Sequence, residues 1–277
     1  MTIQRSNEPD AFRAFEQAGW DRVIETYERT FGFITAQTVE PLLDAAQVSG
    51  ACRVLDVCTG HGVIAATAVR RGATVTGVDI GQQVLNVARR NVPDAEFRQA
   101  DAENLPFDAE TFDAVVCGFG IIHLPTPERA LTEFLRVTRR GGRIAVSVWE
   151  RALPSNGFGV LFGAIRAHGR LDIPLPHGPD MFQFSDAESL IGALKATGIA
   201  DIAVTRVEQV WHLRQPGDFM DGFLNGAVRG AALLAGQGPE GLAAIKAAAA
   251  EHIERDFRVA GGFAVPMGAL VGSGSKT

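Results

Sequence analysis

Two acids and two glycines carry the chemistry that this chain shows most openly. Residues 53–65 begin with Val54, Leu55, Asp56 and Val57, a short apolar run typical of a buried strand. They then turn through Gly60 and Gly62 into an Ala-rich stretch of helical character. Glycine at such a turn removes the Cβ atoms that hold a ligand off the backbone, and the helix that follows presents unpaired N–H groups at its start. Asp79 ends a second strand-like run, residues 73–79. A right-handed crossover brings both strand ends to one edge of a parallel sheet, so Asp56 and Asp79 are expected to open into one crevice. A small-molecule site belongs there.

Two ligand classes use a turn of this kind. Gly60-His61-Gly62-Val63-Ile64-Ala65 fits Gly-x-Gly-x-x-Gly/Ala, and Asp79 lies near the roughly twenty-residue spacing of an acid that bonds a ribose. That fit favours a nicotinamide dinucleotide and an NAD(P)-dependent oxidoreductase. Asp56 argues the other way, because a carboxylate just before the glycines repels a pyrophosphate and attracts a cation. S-adenosylmethionine carries an ammonium and a sulfonium and no phosphate, so it suits the acids better. Asp79 has a second reading as the N-cap of a helix over residues 82–91.

The stretch resembles the first motif of class I S-adenosylmethionine-dependent methyltransferases, with Asp56, Gly60 and Gly62 in place and Cys58 where a first glycine is usual. Asp101-Ala102-Glu103-Asn104-Leu105-Pro106-Phe107 is similar to the family's Asp-Ala-x-x-Leu-Pro-Phe segment. The run from His123-Leu124-Pro125 to Arg139-Arg140-Gly141-Gly142-Arg143 resembles the small-molecule branch that includes quinone-biosynthesis enzymes. The resemblance covers about residues 45–150. It implies ribose hydroxyls on Asp79, adenine between Ile80 and Val84, the adenine amino group on Asp101 and a ring nitrogen at the Ala102 amide. It also implies an acceptor mouth lined by Gly118 and Phe119, and an N-terminal helix over the cofactor from which Tyr27 could lend its hydroxyl.

Methyl transfer mainly requires alignment of donor and nucleophile, and a base is needed only for a hydroxyl or carbon acid. His123, just past the fourth strand, is the base candidate, and a structural histidine bonding a loop carbonyl is an equal alternative. His61 is expected to point away from the cofactor, and His168 and His177 lie in a covering segment. The position after the fourth strand reads Gly118-Phe119-Gly120-Ile121, without the Asn-Pro-Pro-Tyr signature of DNA amino methylation. Phe158, Phe162, Phe182, Phe184, Phe219 and Phe223, with Trp149 and Trp211, suggest an apolar or aromatic small acceptor. A protein that kept the pocket without transferring methyl is the remaining alternative.

These residues need a scaffold, and 277 residues at 46% hydrophobic can bury one. The expected fold is α/β: a Rossmann-like, doubly wound, seven-stranded and mostly parallel sheet with helices on both faces, N-terminal helices and helical cap insertions. The expected organisation is one methyltransferase domain over residues 1–277. It comprises a helical cover (1–50), a cofactor core (51–150), substrate-covering insertions (151–184 and 214–261), and the remaining sheet (185–213 and 262–277). Helices are expected over 11–18, 20–29, 39–46, 127–138 and 159–167, and one capped by Ser185. A sixth strand is expected over 202–213 and a last strand-like run over 263–273. Trp20, Tyr27 and Phe31 form a stripe at helical spacing whose default reading is packing. Leu242, Ile245, Ile253 and Phe257 are either packed core or a homodimer surface.

A net charge of −6 leaves no general basic excess for nucleic acid. Three cysteines without metal-ligand spacing indicate neither a disulfide framework nor a metal site, and suit a reducing cytoplasm. The polar N-terminus and the lack of a long apolar window imply neither export nor membrane insertion.

Overall fold

The structure, a computed structural model, describes residues 8–277; the polar segment 1–7 lies outside them. Ten strands run in chain order: β1 (Arg53–Val57), β2 (Thr74–Asp79), β3 (Glu96–Gln99), β4 (Phe112–Gly118), β5 (Thr138–Trp149), β6 (Ala200–Val207), β7 (Val210–Leu213), β8 (Arg258–Val259), β9 (Gly262–Pro266) and β10 (Ala269–Ser275). Seven of them form one sheet, as the sequence predicts, and its strand order is β3-β2-β1-β4-β5-β10-β6. The pairs among β1 to β5 are parallel, and β10 runs antiparallel to β5 and β6. Val54, Leu55 and Val57 are buried, as expected of a parallel strand covered on both faces.

The chain winds from β1 outward to β3, then crosses back to place β4 on the other side of β1. Ligands in doubly wound sheets bind outside the carboxyl ends of the strands at such a reversal. The glycine turn after β1 and the exit of β4 both lie there.

Several expected boundaries move, each for a local reason. Residues 11–29 hold one helix, Glu8–Tyr27, in place of two. Gly19, which looks like a break, is a point of close approach, since a Cβ there would meet Val228 at 2.3 Å. The turn expected at residues 139–143 is absorbed into β5. There Gly141 has φ +72°, and its N–H donates to the Lys276 carbonyl at 2.7 Å. The helix Ala187–Thr197 is capped by Asp186, whose carboxylate accepts from the Ser189 N–H at 2.9 Å, and Ser185 is buried before it.

The run expected as one sixth strand divides at Gln209, and so does the last strand at Met267. The Gln209 carbonyl accepts from the Met267 N–H at 2.8 Å, while its buried side-chain amide donates to the Ile34 carbonyl at 2.7 Å. Beyond this crossing, β7 and β9 leave the main sheet and join β8 in a three-stranded antiparallel sheet. Helices Asp218–Gly226, Val228–Ala235 and Gly238–Asp256 complete the cover. Ile245, Ala249 and Ile253 are fully buried within the chain, while Leu242 and Phe257 of the expected stripe are half-buried against the same core.

Candidate functional site

A cavity of about 470 Å³ lies at the strand reversal. One end is bounded by Gly60, Asp79, Ile80, Val84, Asp101 and Ala102; the other by aromatic residues that include Phe31, Phe119, Trp149 and Phe158. Gly118 and Phe119, at the exit of β4, both line it. Tyr27 and His123 also line it, so all but two of the expected site residues, Asp56 and Gly62, border one space.

Asp56 is the main correction. It is wholly buried and does not border the cavity. Its Oδ2 accepts from the Thr59 hydroxyl at 2.7 Å and from the Ala65 N–H at 3.2 Å, so the acid folds under the turn and ties it to the helix Val63–Arg70. Its Oδ1 has no partner among the described residues, and burial pushes the carboxyl up to about 7 against those two bonds. Gly62 sits behind the turn as well. It has φ +88°, and a Cβ there would press on Val92 at 3.0 Å.

Asp79 faces the space from the end of β2. Its Oδ2 accepts from the Gly60 N–H and its Oδ1 from the Gly81 N–H, both at 3.1 Å, and burial raises it to about 6. It does not cap the helix Gln82–Asn91 from within. That service comes from Asp21 on the N-terminal helix, which accepts from the Gln83 N–H at 2.9 Å and the Val84 N–H at 3.3 Å. Cys58 adopts φ +57°, the left-handed conformation for which glycine is best suited. It fits because Gly120 opposite lacks a Cβ, which would lie 2.3 Å from the Cys58 Cβ.

Asp101 accepts from the Glu103 N–H at 2.9 Å and pairs with the Arg13 guanidinium at 3.2 Å. The Tyr27 hydroxyl meets Thr35 Oγ1 at 3.2 Å, and burial pushes the phenol up to about 12. His61 turns inward, contrary to expectation. It borders the cavity beside Tyr27, with ring centroids 5.7 Å apart, and burial lowers its imidazole. His168 does not border the cavity, and His177 borders a smaller neighbouring one.

His123 closes the short helical turn Ile121–His123 after β4. Its Nδ1 lies 3.0 Å from Oε2 of Glu16, a carboxylate that also receives Trp20 Nε1 at 3.1 Å and Arg229 Nε at 2.6 Å. Burial alone would raise Glu16; His123 and Arg229 outweigh it and hold the carboxyl below its usual value. Sequence reading missed Glu16, Arg13 and Arg229. Glu16 and Arg13 lie on a helix read for its aromatic stripe, and Arg229 lies 213 residues along the chain from Glu16.

The nucleotide end can be tested against the two ligand classes. Three N–H groups of the turn are already taken, Thr59 N–H by the Val78 carbonyl, Gly60 N–H by Asp79 and Ala65 N–H by Asp56, and the Asp79 carboxylate that borders the cavity repels a pyrophosphate. Space in front of Gly60 is open, with no atom within 4 Å of a Cβ placed there. Carboxylate and bare backbone therefore fit a phosphate-free nucleoside.

Comparison with known proteins agrees. Residues 55–146 match the family described as "Methyltransferase domain". A demethylmenaquinone methyltransferase of Clavibacter sepedonicus is 36% identical over 137 residues, which is 47% of this chain and 56% of that protein. The chain thus spans about half the length of the curated relatives it matches. In fold, it is similar to phosphoethanolamine N-methyltransferase 2 of Haemonchus contortus in complex with S-adenosyl-L-methionine. The TM-score is 0.58 and the identity 18%, covering 100% of this chain and 62% of that one. It is also similar to a [4+2]-cyclase, with a TM-score of 0.51 and 20% identity, covering 87% of this chain and 82% of that one. Residues 55–146 thus match a methyltransferase-domain family, and the chain as a whole shares the fold of solved methyltransferase structures.

Proposed function

We propose that the protein transfers a methyl group from S-adenosylmethionine to a small apolar or aromatic molecule. The observation that carries this reading is the continuity of the cavity: nucleoside-fitting groups at one end, aromatic walls at the other, and Gly118 with Phe119 at the exit of β4. When bound, the cofactor supplies an electrophilic methyl on a sulfonium whose positive charge is lost on transfer. Asp79 would hold the ribose hydroxyls, Ile80 and Val84 the faces of the adenine, and Asp101 and Ala102 its edge.

The protein's own contribution is positioning and dryness. Phe119, at φ +57°, is pinned by its N–H to the Ser147 carbonyl at 3.0 Å, which fixes the backbone there. Trp149 packs on Phe119 with ring centroids 4.2 Å apart, Phe31 and Phe158 pack edge-on against Trp149, and together they exclude water from the acceptor end. Relatives named demethylmenaquinone methyltransferase support a quinone-like ring as acceptor. Three free cysteines support a reducing, cytoplasmic setting, and no helix among the described residues is long and apolar enough to cross a membrane.

Calorimetry with S-adenosylhomocysteine and NADH, followed by labelled-methyl transfer to a panel of phenols and hydroxyquinones, tests the reading. Binding of S-adenosylhomocysteine alone and label in an aromatic product are expected. Tight NADH binding without S-adenosylhomocysteine binding would reverse it in favour of an oxidoreductase. Cofactor binding without any transfer would favour a pocket kept for another use.

A further inference from the structure

His123 is held more tightly than a loop histidine needs. Its Nδ1 partner, Glu16, is a carboxylate only 5% exposed, and burying such a group is costly unless every lone pair is met. Three donors meet it: His123, Trp20 and Arg229. Arg229 is committed elsewhere as well, donating to the Pro179 carbonyl at 2.9 Å and the Ile122 carbonyl at 2.7 Å, with its guanidinium 4.5 Å over the Phe12 ring. It is therefore spent on holding Glu16 and is not poised to bind an anion. Trp20 stands edge-on to the imidazole at 5.0 Å and sets its plane.

An ionised carboxylate can only accept, so the neutral imidazole must carry its proton on Nδ1, leaving the lone pair on Nε2. Glu16, Trp20, His123 and Arg229 all border the cavity. No described residue bonds Nε2.

Resting on the methyl-transfer reading, we infer that His123 Nε2, oriented by Glu16, takes the proton of a substrate hydroxyl, which makes the acceptor class a phenolic or enolic O–H acid. A neutral amine brings its own lone pair and sheds a proton only after its new bond forms. A hydroxyl must lose its proton as the bond forms, which is the use of a lone pair fixed in advance. The proton passes to Nε2, and the oxygen's electron pair forms the bond to the methyl carbon. The carbon–sulfur pair returns to the sulfonium sulfur as a neutral thioether. The new imidazolium keeps its Nδ1 contact with Glu16 Oε2. The other charged groups nearby are Arg229 from helix Val228–Ala235 and, one turn before Glu16, Arg13 with Asp101 and Glu103. Glu16 and Arg229 are positioning residues.

The test binds 4-nitrophenol to the S-adenosylhomocysteine-loaded protein and reads its ionisation by visible absorption across pH, with no turnover. The bound phenol is expected to ionise about one to three pH units below its free value. His123→Gln should abolish that shift, and Glu16→Gln and Glu16→Asp should return it toward the free value, with circular dichroism checking the fold. Failure of 4-nitrophenol to bind, binding as the neutral phenol, or a full shift in His123→Gln overturns the inference. Calorimetry on the same samples separates the two claims. Loss of S-adenosylhomocysteine binding in the wild type sinks the methyl-transfer reading, whereas retained binding without the ionisation shift sinks only the hydroxyl-acid one.

Discussion

At the scale of single residues, the two acids of the crevice have exchanged the parts that their order in the chain suggests. Asp56 braces the turn from beneath, and of the two only Asp79 borders the cavity. Sequence shows an acid beside glycines; whether it turns under or over depends on Thr59 and Ala65 offering it donors, which no pattern announces. The preference for a phosphate-free ligand then rests on Asp79, the one of the two acids that borders the cavity. Because burial lifts Asp79 to about 6, S-adenosylmethionine should bind best above that value, where the carboxylate is ionised. Affinity should weaken as pH falls through 6, because the protonated acid neither attracts the sulfonium nor accepts two hydroxyls. Asp79→Asn should flatten that profile and cost about 1.5–3 kcal/mol of binding, roughly ten- to a hundredfold in Kd. A calorimetric titration from pH 5 to 8 that shows no slope in the wild type would refute this role.

Between elements, the contacts that matter are made across the chain. The helix Gln82–Asn91 starts at Gly81, which offers no side-chain cap, and borrows Asp21 from the N-terminal helix. Asp21→Ala should therefore lower stability by about 1 kcal/mol, the usual value of a lost cap, seen as a lower denaturant midpoint at unchanged slope. The Cys58 turn depends in the same way on Gly120. Gly120→Ala would drive a methyl into Cys58 and should destabilise by about 1–3 kcal/mol. Adding Cys58→Gly should recover most of that, since glycine accepts the left-handed backbone and vacates the space. A double mutant no more stable than Gly120→Ala would show that the strain lies elsewhere. Strands β1, β2 and β4 were legible because their apolar runs end at glycines and acids. The split at Gln209 was not, because the apolar–polar alternation of β6 and β7 continues across it while the hydrogen-bond partners change sheets.

Over the whole molecule, the core is readable and the cover is not. Residues 45–150 follow a pattern set by a shared cofactor, whereas the apolar residues after Arg151 serve both packing and cavity walls, and periodicity cannot tell these apart. The N-terminal helix shows the consequence. It reaches three parts of the nucleoside end through Arg13 to Asp101, Gln17 to the Ile80 carbonyl and Asp21 to Val84. A ligand seated beneath these bonds is enclosed by the helix, so its release requires them to loosen. Ligand at a hundredfold excess over Kd stabilises the closed form by about 2.7 kcal/mol. Amide hydrogen exchange in Glu8–Tyr27 and residues 80–84 should slow accordingly when S-adenosylhomocysteine is added. The pairing of β6 with β10, at the far edge of the sheet, should be little affected. Uniform slowing everywhere would mean that the ligand tightens the fold as a unit. Slowing confined to residues 80–84 would mean that the helix packs over the site without gating it.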